Sequence, residues 1–543
     1  MGLTTDTEDV PVRLVGSSVF GRYPTISPER TYNLFISSSG DGEEEWLVNF
    51  PGYREVLNLI AEGAEGRGIY HSVRGNFILA VAGADVFRID QFSSSATNLG
   101  AMTSSTGEVF FDENLSSQIC FVDGTKARIY NYLNFPAAFS DAVFDAHSSD
   151  FQPNYVIYHN TYFIFGNALT TNAGSNWVIY ESGADGMSAN AYKLTWVQTL
   201  ALQTKPDFAK AVLRIPGKGN NIIVFGTTVA EIWSNVGGAQ VYQRNSSVNI
   251  DYGAASVATI AASEEVVAWL GINEKSSPAL MVMEGGNALP ISTDGLDALL
   301  ETVDFPADST AILYREGGHL FYIITFFNPA DDFSIMYDFK TKKLFDLTDW
   351  DFTAYPARQV VYFGNKTYFL NFKNGCISEI SSNITTYDVL ASSENMDYIS
   401  YDIPQIRISN THRVANRPEK FKIKLFTFVM ESGTTPNTSN QMVCEGYIIT
   451  EDTSQVIYTE DGHPILTEAG FCTINLPRVD LTISKNGGIT YSNTVSYLLK
   501  ATADYQNQPR FNNLGYAQQI NYQMRFWGSG RKVIKNGTME IGN

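Results

Sequence analysis

The sequence predicts an all-β protein: a β-propeller of six or seven blades followed by an antiparallel, sandwich-like β domain. Three observations carry this expectation. First, one short unit recurs between Gly63 and Ile380, a strand of alternating aromatic and β-branched residues, a turn at glycine, and a second short strand. Second, the turn glycines Gly83, Gly124, Gly166, Gly226 and Gly271 stand roughly 40 to 60 residues apart, the spacing of propeller blades. Third, the composition favours strands: aromatic residues make up 13% of the chain and charged residues only 17%, and no long 3.6-residue apolar period occurs.

The clearest copy of the unit is Phe77 to Ile89, FILAVAG followed by ADVFRI. Looser copies are Ile119 to Tyr132, Thr161 to Asn167 with Trp177 to Ser182, and Ile222 to Ser234. Val266 to Ile272 with Ala279 to Glu284, Leu320 to Phe326 with Phe333 to Phe339, and Thr367 to Ile380 complete the series. A small sheet cannot bury both of its faces alone. Radial packing of several such sheets hides the faces and leaves only short edges. Glycine after each inner strand is expected to give the tight turn its backbone freedom.

The 543 residues suffice for two or three domains. The expected division is an N-terminal arm and closing strand over 1–62, a propeller over 63–381 and a C-terminal β domain over 382–543. Residues 1–9 read as an acidic arm, and Val10 to Val15 as a strand. Pro24 and Pro28 forbid regular helix across them. Glu43 to Glu45 read as a solvated loop. A propeller is often closed by an N-terminal strand that completes the last blade, and Leu47 to Val56 is the candidate. Ser381 to Asn395, rich in Ser, Thr and Asn, reads as a linker. Beyond it, Phe421 to Val429 alternates with period two, and Asp461-Gly462 is a hairpin turn signal.

The run Ser484-x-Asn486-x-Gly488-x-Thr490-Tyr491 resembles the Asp-box hairpin turn of sialidases. In that turn, Ser and Asp or Asn bond the turn backbone and the aromatic packs beneath; here Asn486 stands in place of the usual Asp. The final strand pair is expected at Tyr522 to Trp527 and Arg531 to Ile541. Arg525, Arg531, Lys532 and Lys535 give this end positive charge, either as a solvated edge that blocks aggregation or as a docking face for an acidic neighbour.

A second resemblance covers most of the chain. Glu29-Arg30-x-x-Asn33-Leu34, a spacer, and then Phe50-Pro51-Gly52 are similar to the opening of the packaged-DNA stabilisation proteins, tail hub or nozzle components of short-tailed bacteriophages. In that family a series of propeller-like blades and a closing antiparallel β domain follow. The resemblance implies a structural virion protein, assembled in the host cytoplasm, that forms a homohexameric ring below the portal and adaptor. It would prolong the DNA channel, retain the packaged genome and serve in ejection. Its neighbours would be portal, adaptor, and tail needle or tailspike proteins.

Composition sets limits on other functions. The net charge of −20 argues against a nucleic-acid gripper, yet suits a wall past which duplex DNA slides. Cys120, Cys376, Cys444 and Cys472 show no CxxC spacing and read as buried free thiols. No signal peptide or membrane span is expected. His71, His147, His159, His319, His412 and His463 are scattered, with no metal-ligand spacing. Gly63 to Gly68 is glycine-rich, but no helix follows to cradle a phosphate.

Asp331, Asp332, Asp346, Asp349 and Asp351 form the one acidic cluster that could do glycosidic acid/base work or bind calcium. Its spacing fits no calcium loop. A sialidase would also need converging arginines, and nothing in the sequence makes Arg22, Arg54, Arg67, Arg74 and Arg88 converge. No catalytic, cofactor-binding or metal residue is therefore assigned, and no enzyme activity or cofactor is expected. The competing reading is a carbohydrate-binding or glycoside-hydrolysing propeller, or a receptor-binding tail module.

Overall fold

The computed structural model describes residues 7–23, 28–40, 44–60, 63–92, 96–134, 139–144, 151–181, 187–188, 191–275, 277–390, 398–413, 420–432, 442–447, 466–474, 477–499 and 504–542. Among them the one α-helix is Asp294–Leu300; nearly everything else regular is strand. The chain divides into two compact units: Phe20–Arg22 with Pro51–Ser400, and Met1–Val19 with Tyr23–Phe50 and Tyr401–Asn543.

The first unit is a propeller of seven blades among the described residues. Blade 1 is Gly66–Ser72, Phe77–Ala82, Asp85–Ile89 and Thr97–Ala101. Blade 2 is Phe110–Glu113, Gln118–Val122, Ala127–Asn131 and Ser140–Phe144. Blade 3 is Pro153–His159, Tyr162–Asn167, Asn176–Glu181 and Trp196–Ala201, and blade 4 is Ala211–Arg214, Asn221–Phe225, Ala230–Asn235 and Tyr242–Ile250. Blade 5 has a split inner strand, Gly253–Ala254 and Ala261–Ala262, then Val266–Ile272, Pro278–Glu284 and Asn287–Pro290. Blade 6 is Ser309–Glu316, His319–Asn328, Asp331–Asp338 and Lys343–Leu347. Blade 7 begins with Ala357–Phe363, Lys366–Asn371 and Cys376–Ser381.

The second strand of each blade lies between neighbours on both sides and packs a blade on each face. Its side chains are therefore buried along the strand rather than at alternate positions, and most are apolar: all six residues of Phe77–Ala82 are buried, as are all five of Gln118–Val122. Aromatic rings join consecutive blades. Trp177 of blade 3 meets Trp233 of blade 4 edge-on, 5.3 Å between centroids, and Phe225 of blade 4 meets Trp269 of blade 5 at 5.2 Å.

The turn glycines act for two different reasons. Gly83 and Gly124 have φ of +54° and +79° and do supply a left-handed turn. Gly166 does not: a Cβ there would stand 2.2 Å from the carbonyl oxygen of Lys210 in the next blade. Here glycine permits close approach of two backbones, which the turn rationale alone missed.

An N-terminal strand does complete the last blade, displaced from the expected Leu47–Val56. Gly52–Asn58 pairs antiparallel with Cys376–Ser381, from Gly52↔Ser381 to Asn58↔Cys376. Glu45–Asn49 instead pairs with Leu34–Ser38 and Lys532–Gly542 of the other unit. Pro51 lacks an N–H and separates the two strands, so one apparent strand is two. The ring closes between blades 7 and 1, where the Ile69 N–H donates to Gln359 Oε1 at 2.9 Å and Arg358 donates to the Gly66 carbonyl at 3.0 Å. A third of the expected linker is also strand: Thr386–Leu390 runs parallel to Gly52–Asn58, with Tyr387 stacked on Tyr53 at 4.6 Å and Asp388 paired with Arg54 at 2.8 Å. Those two side chains give a polar-looking segment something to bury and something to hold.

The second unit is a two-sheet sandwich. One sheet centres on Lys532–Gly542, flanked by Phe421–Ser432 on one side and by Thr7–Val12 and Glu45–Asn49 on the other. Arg510–Ala517 pairs with Phe421–Ser432. The other sheet runs Arg30–Tyr32, Gln405–Ile408, Gln519–Phe526, Arg478–Ser484 and Val495–Leu498. Phe426 and Phe428 of the first sheet face Tyr522 and Phe526 of the second, at 5.6 and 6.3 Å. Arg407 is buried between segments, donating to the Leu14 carbonyl at 2.8 Å and Thr31 Oγ1 at 2.9 Å, and paired with Glu29. The Glu29-Arg30 motif thus has a local structural role.

The Asp-box-like turn forms as expected. Ser484 Oγ accepts from Gly488 N at 2.9 Å, and Asn486 Oδ1 accepts from Thr490 N at 3.0 Å. The basic C-terminal strand is not the solvated edge expected. Lys532–Gly542 is paired on both sides, Lys532 is buried and donates to the Gly528 carbonyl, Arg525 lies 3.6 Å from the Trp527 ring centre, and Lys535 pairs with Glu44. Burial pushes the Lys532 ammonium down to about 8. Arg525 and Lys532 are thus held within the unit, whereas Arg531 and Lys535 are exposed. The Asp461-Gly462 turn lies outside the described residues.

Candidate functional site: the propeller axis

The inner strands converge on an axis, where a propeller scaffold can host chemistry. Two neighbouring cavities lie there, of about 240 and 370 Å³, sharing Glu108, Phe110 and Ala258 in their walls. The first is lined by Tyr70, Phe111, Tyr155, Ile260, Ile312 and Gln359, the second by Asp123, Thr170, Lys210 and Ser256.

Glu108 precedes the inner strand of blade 2 and reaches the axis. Gln359 of blade 7 donates from Nε2 to Glu108 Oε1 at 2.8 Å and to the Val109 carbonyl at 3.2 Å. The residue as a whole is only half-buried, but Oε2 is enclosed and has no partner among the described residues. Burial pushes the carboxyl up to about 7; Arg358 and the Gln359 hydrogen bond pull it down, and Glu65 adds to the rise. Arg358 is itself paired with Glu65, with Nε enclosed and unpartnered among the described residues. Asp112 is held by the Tyr158 N–H at 2.7 Å and by Arg214 at 3.0 Å, and burial raises its carboxyl too. Lys210, in the second cavity, is lowered by burial against the pull of Asp207.

Glycoside hydrolysis needs two facing carboxylates, one free to give a proton and one to attack or activate water. Among the described residues the axis offers one enclosed carboxyl without an ion pair, that of Glu108; Glu65 and Asp112 are tied to arginines. The acidic cluster of blade 6 does not supply the second. Asp349 accepts from Tyr53 Oη at 2.7 Å and Lys373 Nζ at 2.8 Å. Asp332 holds the Ala354 N–H, Asp331 the Asp304 N–H, and Asp351 its own loop at Thr353. Asp346 lies in strand Lys343–Leu347. These carboxylates shape loops.

The early arginines stay apart. Arg54 pairs with Asp388, Arg88 with Asp90 and Tyr130, and Arg74 meets the Leu115 carbonyl. Arg67 is buried and donates to the carbonyls of Gly83, Ser104 and Gly107, so the glycine-rich segment is an anchored inner strand. His159 is fixed between Tyr242 Oη and the Gly219 carbonyl, His319 by Asp338, while His71 packs on Phe363 and His412 on Tyr522. His147 and His463 lie outside the described residues. Cys120 and Cys376 are buried free thiols.

A family model described as the β-propeller of bacteriophage P22 Gp10, a phage-stabilisation family, matches residues 32–385. The chain belongs to this family. Its role is accordingly that of a phage tail structural protein and virion component. Among curated proteins none matches. Solved structures match only at low identity and low TM-score. An ancestral GH74 enzyme is 10% identical with a TM-score of 0.40, the alignment covering 72% of this chain and 53% of that one. The extracellular domain of a one-component system from B. thetaiotaomicron is 9% identical with a TM-score of 0.38, covering 90% and 60%. The computationally designed Ika8 protein is 10% identical with a TM-score of 0.36, covering 60% and 99%.

Proposed function

We propose that this phage tail protein forms a closed ring, a homohexamer by the family resemblance, below the portal and adaptor of a short-tailed phage. There it prolongs the DNA channel, retains the packaged genome and opens the way at ejection. The observation that carries this reading is the family match, which spans nearly the whole propeller. Two others support it. Rigid, fully cross-bonded blades suit a load-bearing wall, and a net charge of −20 lets duplex DNA pass without sticking. The function is mechanical and electrostatic, with heterologous contacts that close into a ring.

The test is the native mass of the purified chain, alone and with the portal–adaptor assembly. A discrete ring, or a hexamer's worth of copies added to the assembly, is the expected result. A monomer that ignores the assembly and instead binds or hydrolyses a glycan overturns the reading.

A further inference from the structure

Two surfaces of the chain carry opposite charge without ion pairs among the described residues, and each surrounds an exposed aromatic ring. The first lies on the outer face of the sandwich. In strand Phe421–Ser432 the apolar residues Phe421, Ile423, Phe426 and Phe428 point inward, which turns Lys422 outward. Register places Tyr516 opposite Lys422 and Arg510 opposite Thr427 on the same face. The bulge between Ile423 and Leu425 brings Lys424 alongside Gly542. Tyr516 is 54% exposed on the face that carries these three cations, which make no ion pair among the described residues. Glu540, opposite Leu425, also lies on this face.

The second surface lies on the propeller, around the helix and loop that join blades 5 and 6. No lysine or arginine occurs between Lys275 and Arg315. Asp294, Asp297, Glu301, Asp304 and Asp308 fall in that interval, and the Asp304 N–H bonds Asp331. None of these six forms an ion pair among the described residues. Asp297 Oδ1 is enclosed and unpartnered, and burial together with Asp294 and Glu301 raises its carboxyl. Phe305, 54% exposed, sits in the middle. The two surfaces match: an aromatic residue in a cationic frame and an aromatic residue in an anionic one.

We propose that the cationic face around Tyr516 docks on the anionic surface around Phe305 of a second copy of this chain. This rests on the ring reading and supplies its contact: two different patches of one chain make a heterologous interface, which can close into a ring. Charge complementarity sets the register and the partner, and the two rings supply the apolar centre.

The experiment uses two full-length variants and sedimentation at low and high salt. One carries Lys422→Glu with Lys424→Glu, the other Asp294→Lys with Glu301→Lys; circular dichroism and melting confirm that both fold. The wild-type chain should self-associate at low salt and loosen at high salt. Each variant alone should associate at least about tenfold more weakly. Mixed together they should recover association, because the reversed face of each then meets a complementary surface of the other. If the wild type associates and both variants match it, the contact is wrong while the ring reading stands. If the wild type stays monomeric throughout, the contact is wrong, and the ring reading falls with it only if the chain also fails to add to the portal–adaptor assembly. If the lysine variant associates normally but loses binding to duplex DNA, the face is a nucleic-acid surface and the inference is overturned.

Discussion

Replacing Glu108 by glutamine should stabilise the protein at pH 8 and leave it nearly unchanged at pH 5. The axis holds this carboxyl with Oε2 enclosed and without a partner, facing Arg358, Gln359 and Glu65. Its folded value is pushed from 4.5 up to about 7. The folded state therefore keeps a proton that the unfolded chain has released between about pH 4.5 and 7, and stability falls as pH rises through that window. At about 1.4 kcal/mol per pH unit the loss reaches about 3 kcal/mol above pH 7. Glutamine cannot ionise, still accepts the Gln359 hydrogen bond, and leaves one enclosed donor where an enclosed acceptor was. The expected gain at pH 8 is about 2–3 kcal/mol, and at pH 5 about zero within 1 kcal/mol. Urea unfolding of both proteins at pH 5, 6, 7 and 8 reads it directly. A difference between variant and wild type that does not change with pH would refute the argument, because it would mean the carboxyl is solvated or already compensated.

Gly166→Ala should destabilise by about 1–3 kcal/mol, since its Cβ would meet the Lys210 carbonyl at 2.2 Å; an unchanged denaturation midpoint would show that blades 3 and 4 can part at no cost. Arg407→Ala should cost about 3–5 kcal/mol by leaving Glu29 and several buried carbonyls without a donor. Arg407→Lys should not restore it, as hydrogen exchange of strand Gln405–Ile408 would report. Tyr53→Phe should cost about 1 kcal/mol through the bond to Asp349, and Tyr53→Ala about 3–5 kcal/mol through lost packing on Tyr387 and Phe369. Limited proteolysis of the last blade would separate the two.

The propeller was legible in the sequence because its grammar is local. Phe77 to Ile89 contains a complete strand–turn–strand unit, and the Asp-box-like turn closes over seven residues. Closure was legible in kind but not in register. Pro51-Gly52 reads as the end of a strand, whereas Gly52 begins one, and only pairing with Cys376–Ser381 reveals it. The axial carboxyl was not legible at all. Glu108 sits in a run of aromatic and acidic residues, and what isolates it is Gln359, 251 positions away. The burial of Lys532 was not legible for a related reason. Charge in sequence says nothing of pairing, and Lys532 is buried by strands from both ends of the chain.

The strand that completes blade 7 also fixes a schedule. Gly52–Asn58 leaves the ribosome early, but its partner Cys376–Ser381 follows roughly 320 residues later, or about 15–60 s at ordinary synthesis rates. Throughout that interval the early blades can form while the ring stays open, with a bare strand at its leading end. The propeller can be sealed only once Cys376–Ser381 has emerged, so its last folding step is the longest-range one. Ordering in time is thus built into the fold: each chain closes on itself before it can offer a finished surface to a neighbour.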